Sequence, residues 1–250
     1  LFGGGCIELV PVFKADDMLA RMAQRPPTVM GGVPTMLTLL LMQPPNAQAW
    51  SRVRLVVVGG SSVDEGLLDA LRARLPGATF MNLYGMSETS GAIVMTPFDA
   101  PEDALMQSIG KPFAEAEMKV VDPLGDVVAA GDVGELCFRG CGVVPGYIGA
   151  ARANAAFDAE GWVHSGDLAS VDERGFVMLR GRQKDMYIQG GYNVYPAEVE
   201  SLISRYPGVA MVAGIGVADP VLGEVGRFYL VAQPGAAIDL QALRAYCAEH

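Results

Sequence analysis

Residues 54–60, Arg54-Leu55-Val56-Val57-Val58-Gly59-Gly60, put four consecutive apolar side chains directly before a glycine pair. A run this short, rich in valine and without polar alternation, has the pattern of a strand buried on both faces of a parallel sheet. The next segment has helical spacing: Ser62 is an N-cap with Glu65 as its capping-box partner, Leu67, Leu68, Leu71 and Leu75 share a face, and Pro76-Gly77 ends the run. A second strand over residues 79–83 completes a β-α-β unit. In such sheets ligands sit beyond the carboxyl ends of the strands, where both Gly60-Ser61 and Tyr84-Gly85 fall.

After residue 116 the texture changes to short alternating strands. Residues 117–121 and 134–140 flank the turn Asp122-Pro123-Leu124-Gly125, and a hairpin turns at Asp172-Glu173-Arg174-Gly175, so an antiparallel barrel or sheet is expected. The polar knot at residues 180–185 suits a linker. Beyond it, Pro196 opens an amphipathic helix carrying Val199, Leu202, Ile203 and Tyr206, and strands are expected at 209–213 and 228–232. The fold class is thus α/β plus antiparallel β, divided at residues 1–182 and 183–250, the second part a small α+β domain that reads as cut short. There is no internal repeat. Leu1 opens no signal-peptide pattern, and a fragment of a longer, cytoplasmic protein is expected.

Charge and cysteine usage exclude several functions. A formal net charge of -10 leaves no basic footprint for nucleic acid. The uncharged stretch at residues 26–51 is broken by Gly31, Gly32, Pro34, Pro44 and Pro45, so it provides no continuous membrane span of about 20 apolar residues. Cys6, Cys137, Cys141 and Cys247 are read as buried, reduced thiols. With His164 and His250 the only histidines, no zinc cluster is expected, and His164 is read as a turn residue. Gly214-Ile215-Gly216 lacks the third glycine and the helix of a dinucleotide fingerprint.

The run Tyr84-Gly85-Met86-Ser87-Glu88 offers a π-face for a purine, a bare backbone, a hydroxyl for a phosphate oxygen and a hard oxygen ligand for Mg²⁺. With Gly32-Val33-Pro34-Thr35-Met36, Gly59-Gly60-Ser61-Ser62, Gly134-Glu135-Leu136, Gly161-Trp162-Val163-His164-Ser165-Gly166-Asp167-Leu168 and the segment from Gly190 to Glu200, it forms an ordered set. That set resembles the adenylate-forming superfamily, in its acyl-CoA synthetase branch. The resemblance implies that a carboxylate attacks the α-phosphate of Mg·ATP to give an acyl-adenylate, and that a thiol then displaces AMP.

Residue by residue, the resemblance implies that Gly60, Ser61 and Ser62 hold the adenine with Asn82, Tyr84 and Gly85. Ser87 touches the α-phosphate and Glu88 binds Mg²⁺, making these two the catalytic pair. Asp167 accepts hydrogen bonds from the ribose hydroxyls and Arg182 supplies a fixed cation. Lys184 marks a hinge, and Gly190, Gly191 and Tyr192 face the CoA arm. ATP, Mg²⁺ and CoA are the implied cofactors, and a fatty or aromatic carboxylic acid is the implied partner, its pocket bordered by Gly59, Met86, Thr89, Gly91 and Ala92. A homo-oligomer stays open. The alternatives are loading of a carrier protein, or a catalytically inactive nucleotide-binding fragment. Two family parts have no counterpart in these residues: the phosphate loop, and an adenylation lysine beyond Lys184.

Overall fold

A computed structural model describes residues 4–60, 65–149 and 153–250, with the side chains of residues 153 and 154 also left aside. Ser61 and Ser62, and with them the expected helix cap, lie outside the described residues. The chain divides into two compact units, residues 1–83 with 96–106, and residues 84–95 with 107–250.

The first unit is built from α1 (Ala15–Gln24), β1 (Val29–Gly32), α2 (Pro34–Leu41), α3 (Ala47–Trp50), β2 (Leu55–Gly59), α4 (Glu65–Arg74), most of β3 (Thr79–Met86) and α5 (Glu102–Gln107). β1, β2 and β3 run parallel, with Met30 against Val56 and Val56 against Phe80. The β-α-β unit is therefore present as read. Leu67, Leu68, Leu71 and Leu75 are buried against Val56, Val58, Met30 and Trp50, an apolar stripe closing one side of the sheet. Expected burial on both faces is only half met: Val56 and Val58 are buried while Leu55 and Val57 are intermediate, because the described helices cover one side more fully than the other. Gly59 is required by packing, since a Cβ there would lie 2.7 Å from the Leu83 carbonyl oxygen.

The second unit starts with the last residues of β3 and continues with β4 (Gly91–Met95), β5 (Lys111–Pro112), β6 (Ala116–Val121), β7 (Gly134–Gly140), β8 (Val163–Val171) and β9 (Val177–Arg182). β6 to β9 form an antiparallel sheet in chain order. Its turns are fastened as their residue types require: Asp122 Oδ1 accepts from the amides of Leu124 and Asp126 at 2.8 and 3.0 Å, and Asp172 Oδ1 from those of Arg174 and Phe176 at 3.0 and 2.8 Å. Leu136, Phe138, Val163, Ala169 and Val177 make the core on one face.

Two register shifts interrupt this sheet, one between Glu135 and Cys137 and one between Leu168 and Ala169. Bulges re-aim side chains, and on β8 the first shift falls between His164 and Leu168, with the second directly after it. The knot at 180–185, expected to be a linker, is instead ordered. Arg182 pairs with Asp167 at the end of β9, and Gln183–Asp185 form a 3₁₀ turn. Cross-strand pairing outweighs the polarity that suggested a linker.

A second four-stranded sheet follows, in the order β11 (Tyr192–Val194), β10 (Tyr187–Gln189), β13 (Gly223–Ala232), β12 (Val209–Asp219), with α6 (Pro196–Ser204) and α7 (Leu240–Glu249). Ile203, Val209 and Leu243 form its core. Asp239 Oδ1 caps α7 by accepting from Gln241 and Ala242 amides at 2.8 and 3.2 Å. The glycines that resemble a fingerprint have a packing role. A Cβ at Gly214 would overlap the Phe228 ring, and one at Gly216 would come within 2.5 Å of the Tyr187 Cβ. Among the described residues, no helix is long and apolar enough to cross a membrane.

Candidate active site

The second unit brings three of the predicted residues into direct contact. Tyr84, near the end of β3, donates its hydroxyl to Asp167 Oδ2 at 2.6 Å, and Arg182 Nε lies 3.2 Å from Asp167 Oδ1. Asp167 is 9% exposed. Its backbone is secured by Ser165, whose Oγ accepts from the Asp167 amide at 3.0 Å and donates to the Leu136 carbonyl at 2.6 Å. Gly166, at φ +71, makes the turn between them. Burial, followed by the bond to Asp167, drives the Tyr84 phenol well above its ordinary pKa of 10.0. The tyrosine ring packs 6.0 Å from Phe138. Each carboxylate oxygen keeps a lone pair for a further donor beside Tyr84 and Arg182.

Ser87 and Glu88 lie in a 3₁₀ turn, Ser87–Thr89, that ends in Ser90 at φ +56. Thr89 builds this turn. Its hydroxyl donates to the carbonyls of Met86 and Gly91 at 3.0 and 2.7 Å and accepts from the Met86 amide at 3.1 Å, so its polar atoms serve the backbone. Glu88 accepts a hydrogen bond from the Tyr147 hydroxyl, and its carbonyl accepts from the Val144 amide at 2.8 Å. A hard carboxylate in a half-exposed turn matches Mg²⁺, which keeps most of its waters and takes one or two protein carboxylates beside substrate phosphates.

Other predicted residues have different surroundings. Gly60 has φ +88 and Asn82 Nδ2 donates to the Leu105 carbonyl at 2.7 Å, both within the first unit. A concavity of that unit, lined by residues such as Arg72, Phe80, Thr96 and Phe98, contains none of the predicted set. At Gly85, expected to let the main chain approach a ligand, a Cβ would overlap the Gly91 carbonyl of β4, so the strand pair also needs the bare α-carbon. Gly190 and Gly191 have φ +59 and +91 at the tip of the β10–β11 hairpin, the signature of a tight two-residue turn. Lys184 and Tyr192 are exposed.

Some groups escaped the sequence reading. Tyr147, the partner of Glu88, carried no local signal, because its contact spans a separation of 59 residues. Glu135, of the segment Gly134-Glu135-Leu136, accepts from the Gly166 amide with Oε1 at 3.0 Å and lies 2.8 Å from His164 Nδ1 with Oε2. His164 is inside β8, paired with Cys137, and not in a turn. The thiols also differ from expectation: all four are free, but Cys137 alone is buried, while Cys6 and Cys141 are exposed and Cys247 is intermediate. Burial, then the Glu135 charge, pushes the Cys137 thiol up to about 12.

A profile of the AMP-binding enzyme family matches residues 1–148, and one of the AMP-binding enzyme C-terminal domain matches residues 198–250. The chain belongs to the AMP-binding enzyme family. Among its relatives is a Mycobacterium tuberculosis 3-[(3aS,4S,7aS)-7a-methyl-1,5-dioxo-octahydro-1H-inden-4-yl]propanoyl:CoA ligase, 39% identical over 228 residues, covering 89% of this chain and 42% of that protein. Another is the fatty acid–[acyl-carrier-protein] ligase ScoC of Streptomyces coeruleorubidus, 37% identical over 206 residues, covering 81% of this chain and 40% of that protein. The crystal structure of ATP-bound MatB from Rhodopseudomonas palustris superposes with a TM-score of 0.86 at 32% identity, over 96% of this chain and 47% of that one. The chain thus spans less than half the length of these relatives. Its fold is that of the adenylate-forming enzymes, a large-domain portion followed by a small α+β portion.

Proposed function

We propose that the protein carrying this chain is an ATP-dependent acyl-CoA ligase of the cytoplasm. A fatty or aromatic carboxylate attacks the α-phosphorus of ATP, pyrophosphate leaves, and the CoA sulfur then attacks the acyl carbonyl and releases AMP. The observation that carries this reading is the Asp167 carboxylate held between the Tyr84 hydroxyl and Arg182 in a chain of the AMP-binding family. A buried, oriented carboxylate with free lone pairs suits the ribose diol, and Arg182 adds a cation for the phosphate.

In this reading the Tyr84 ring faces the adenine. Ser87 donates to an α-phosphate oxygen and Glu88 holds Mg²⁺. The ion, when bound, offsets charge on the transferring phosphate. Residues 1–182 and 183–250 act as separate bodies about Lys184, so that the small domain carries Gly190, Gly191 and Tyr192 to the CoA arm for the second half-reaction.

Calorimetric titration of this chain with AMP and with an acyl-adenylate analogue tests the nucleotide site. Binding is expected, abolished by Tyr84→Ala and reduced by Asp167→Ala; equal affinity in all three places the site elsewhere. Carboxylate-dependent ATP/pyrophosphate exchange by the full-length protein, across fatty and aromatic acids, tests the chemistry, and its absence overturns the ligase reading. The carrier-protein ligase among the relatives favours a second acceptor. Free CoA compared with a phosphopantetheinylated carrier protein separates the two.

A further inference from the structure

Strand alternation gives β7 and β8 a second face opposite the core. Leu136, Phe138 and Val163 point into the apolar cluster, so their neighbours Glu135, Cys137 and His164 fall on the other side of the sheet. Cys137 and His164 are direct cross-strand partners, and Glu135 stands two positions before Cys137 on the same strand. Their donor atoms converge: His164 Nδ1 is 3.4 Å from Cys137 Sγ and 2.8 Å from Glu135 Oε2, and all three lie within 4.8 Å of one another.

We propose that Glu135, Cys137 and His164 form a binding site for a thiophilic divalent cation, with zinc(II) the ion that fits. One sulfur, one imidazole nitrogen and one carboxylate oxygen is a borderline-soft donor set of the kind zinc takes, leaving a fourth position for water. Tetrahedral bonds of about 2.0–2.3 Å separate donors by roughly 3.3–3.7 Å. The observed pairs at 2.8 and 3.4 Å therefore need to open by only a few tenths of an ångström. The site differs in kind from Glu88, whose carboxylate suits a hard, hydrated ion.

The surroundings complete the arrangement. A zinc-bound imidazole usually gives its other N–H to a carboxylate, and Asp158 Oδ2 lies 3.7 Å from His164 Nε2. Asp158 is itself held, its Oδ1 accepting from the amides of Glu160 and Trp162 at 3.1 and 2.8 Å. Glu135 divides its labour, Oε1 occupied by the Gly166 amide and Oε2 available to the ion. Lys119 Nζ, 4.0 Å from Asp158, offsets the acidic charge around the cluster. His164 and Glu135 are 31% and 18% exposed at their side chains, which provides an entry path. On binding, the Cys137 thiol loses its proton to solvent as the sulfur–metal bond forms, and the imidazole carries its proton on Nε2, facing Asp158.

Titration of the reduced, chelator-treated chain with cobalt(II), without nucleotide, tests this. A thiolate-to-cobalt charge-transfer band and intense four-coordinate visible bands are expected. Cys137→Ser removes the charge-transfer band, His164→Asn and Glu135→Gln weaken binding by about tenfold or more, and Cys6→Ser with Cys141→Ser leaves both unchanged. No band in the folded chain, or a band that survives Cys137→Ser, overturns the proposal. Because Cys137 is fully buried, X-ray absorption of the zinc-loaded Cys6→Ser/Cys141→Ser/Cys247→Ser chain, in which Cys137 is the one remaining cysteine, provides a second measurement independent of that variant's folding. One sulfur in the first coordination shell supports the site, and a shell of nitrogen and oxygen alone overturns it. No step uses ATP, so this outcome and that of the ligase reading are separable.

Discussion

The Tyr84 hydroxyl and the Asp167 carboxylate meet at 2.6 Å across a separation of 83 residues, joining the tip of a parallel strand to an antiparallel sheet. The contact ties the motif expected to face a purine to the acidic residue expected at the ribose. Both groups sit mostly out of water, so the bond is charge-assisted in a setting of low dielectric.

Asp167 and Arg182 are expected to separate in their effects. Asp167→Asn weakens the acceptor for Tyr84 and lowers folding stability by about 1.5–3 kcal/mol, the range for hydrogen bonds to charged groups. Arg182, 61% exposed at its side chain, contributes under about 1 kcal/mol through its ion pair. Arg182→Gln therefore leaves urea unfolding nearly unchanged while weakening AMP binding. Equal stability losses in the two variants would sink this division.

The Tyr84 phenol implies a defined alkaline limit. Its pKa is raised in the fold above the ordinary 10.0, so the unfolded chain binds fewer protons than the folded one once pH exceeds about 10. The stability linked to this group is complete below that pH and declines as pH rises further. Tyr147 and Tyr187 are raised as well, so the informative quantity is a difference. Thermal unfolding from pH 8 upward should fall more steeply for the wild type than for Tyr84→Phe, and parallel curves would refute the assignment.

Gly85→Ala forces a methyl group into the Gly91 carbonyl of the neighbouring strand. Backbone cannot rotate aside as a side chain can, so a loss of about 1–3 kcal/mol is expected, typical of overpacking. Chemical denaturation measures it. Gly77→Ala, where a Cβ meets nothing within 4 Å, serves as the control and should change little.

Thiol reactivity should follow exposure. Cys6 and Cys141 are expected to modify rapidly with an aromatic disulfide reagent, Cys247 more slowly, and Cys137 only on unfolding, since its thiol is buried and held in the neutral form. Rapid modification of Cys137, identified by peptide mass, would contradict its placement.

Local chemistry was legible along the chain wherever neighbours in sequence settle the outcome. The valine run before Gly59, the leucine stripe of α4, the aspartates at the turns 122–125 and 172–175, and Asp239 ahead of α7 all depend on contacts a few residues away. Burial, period and short hydrogen bonds are properties that a segment carries with it. The nucleotide roles expected of Tyr84, Glu88, Asp167 and Arg182 rest on the ordered motifs of the family resemblance, and the structure joins Tyr84, Asp167 and Arg182 by direct contact.

Long-range pairing was not legible. Register placed Arg182 opposite Asp167 inside a strand where polarity suggested a linker, and two bulges aimed the segment 164–167. It also gathered Glu135, Cys137 and His164, a cluster hidden because a count of cysteines and histidines omits the carboxylate. Which side chains share a face depends on strand register, and a shift of one residue reverses every face. Residue identity limits what chemistry is available to this chain, while pairing between distant strands selects the donors and acceptors that meet.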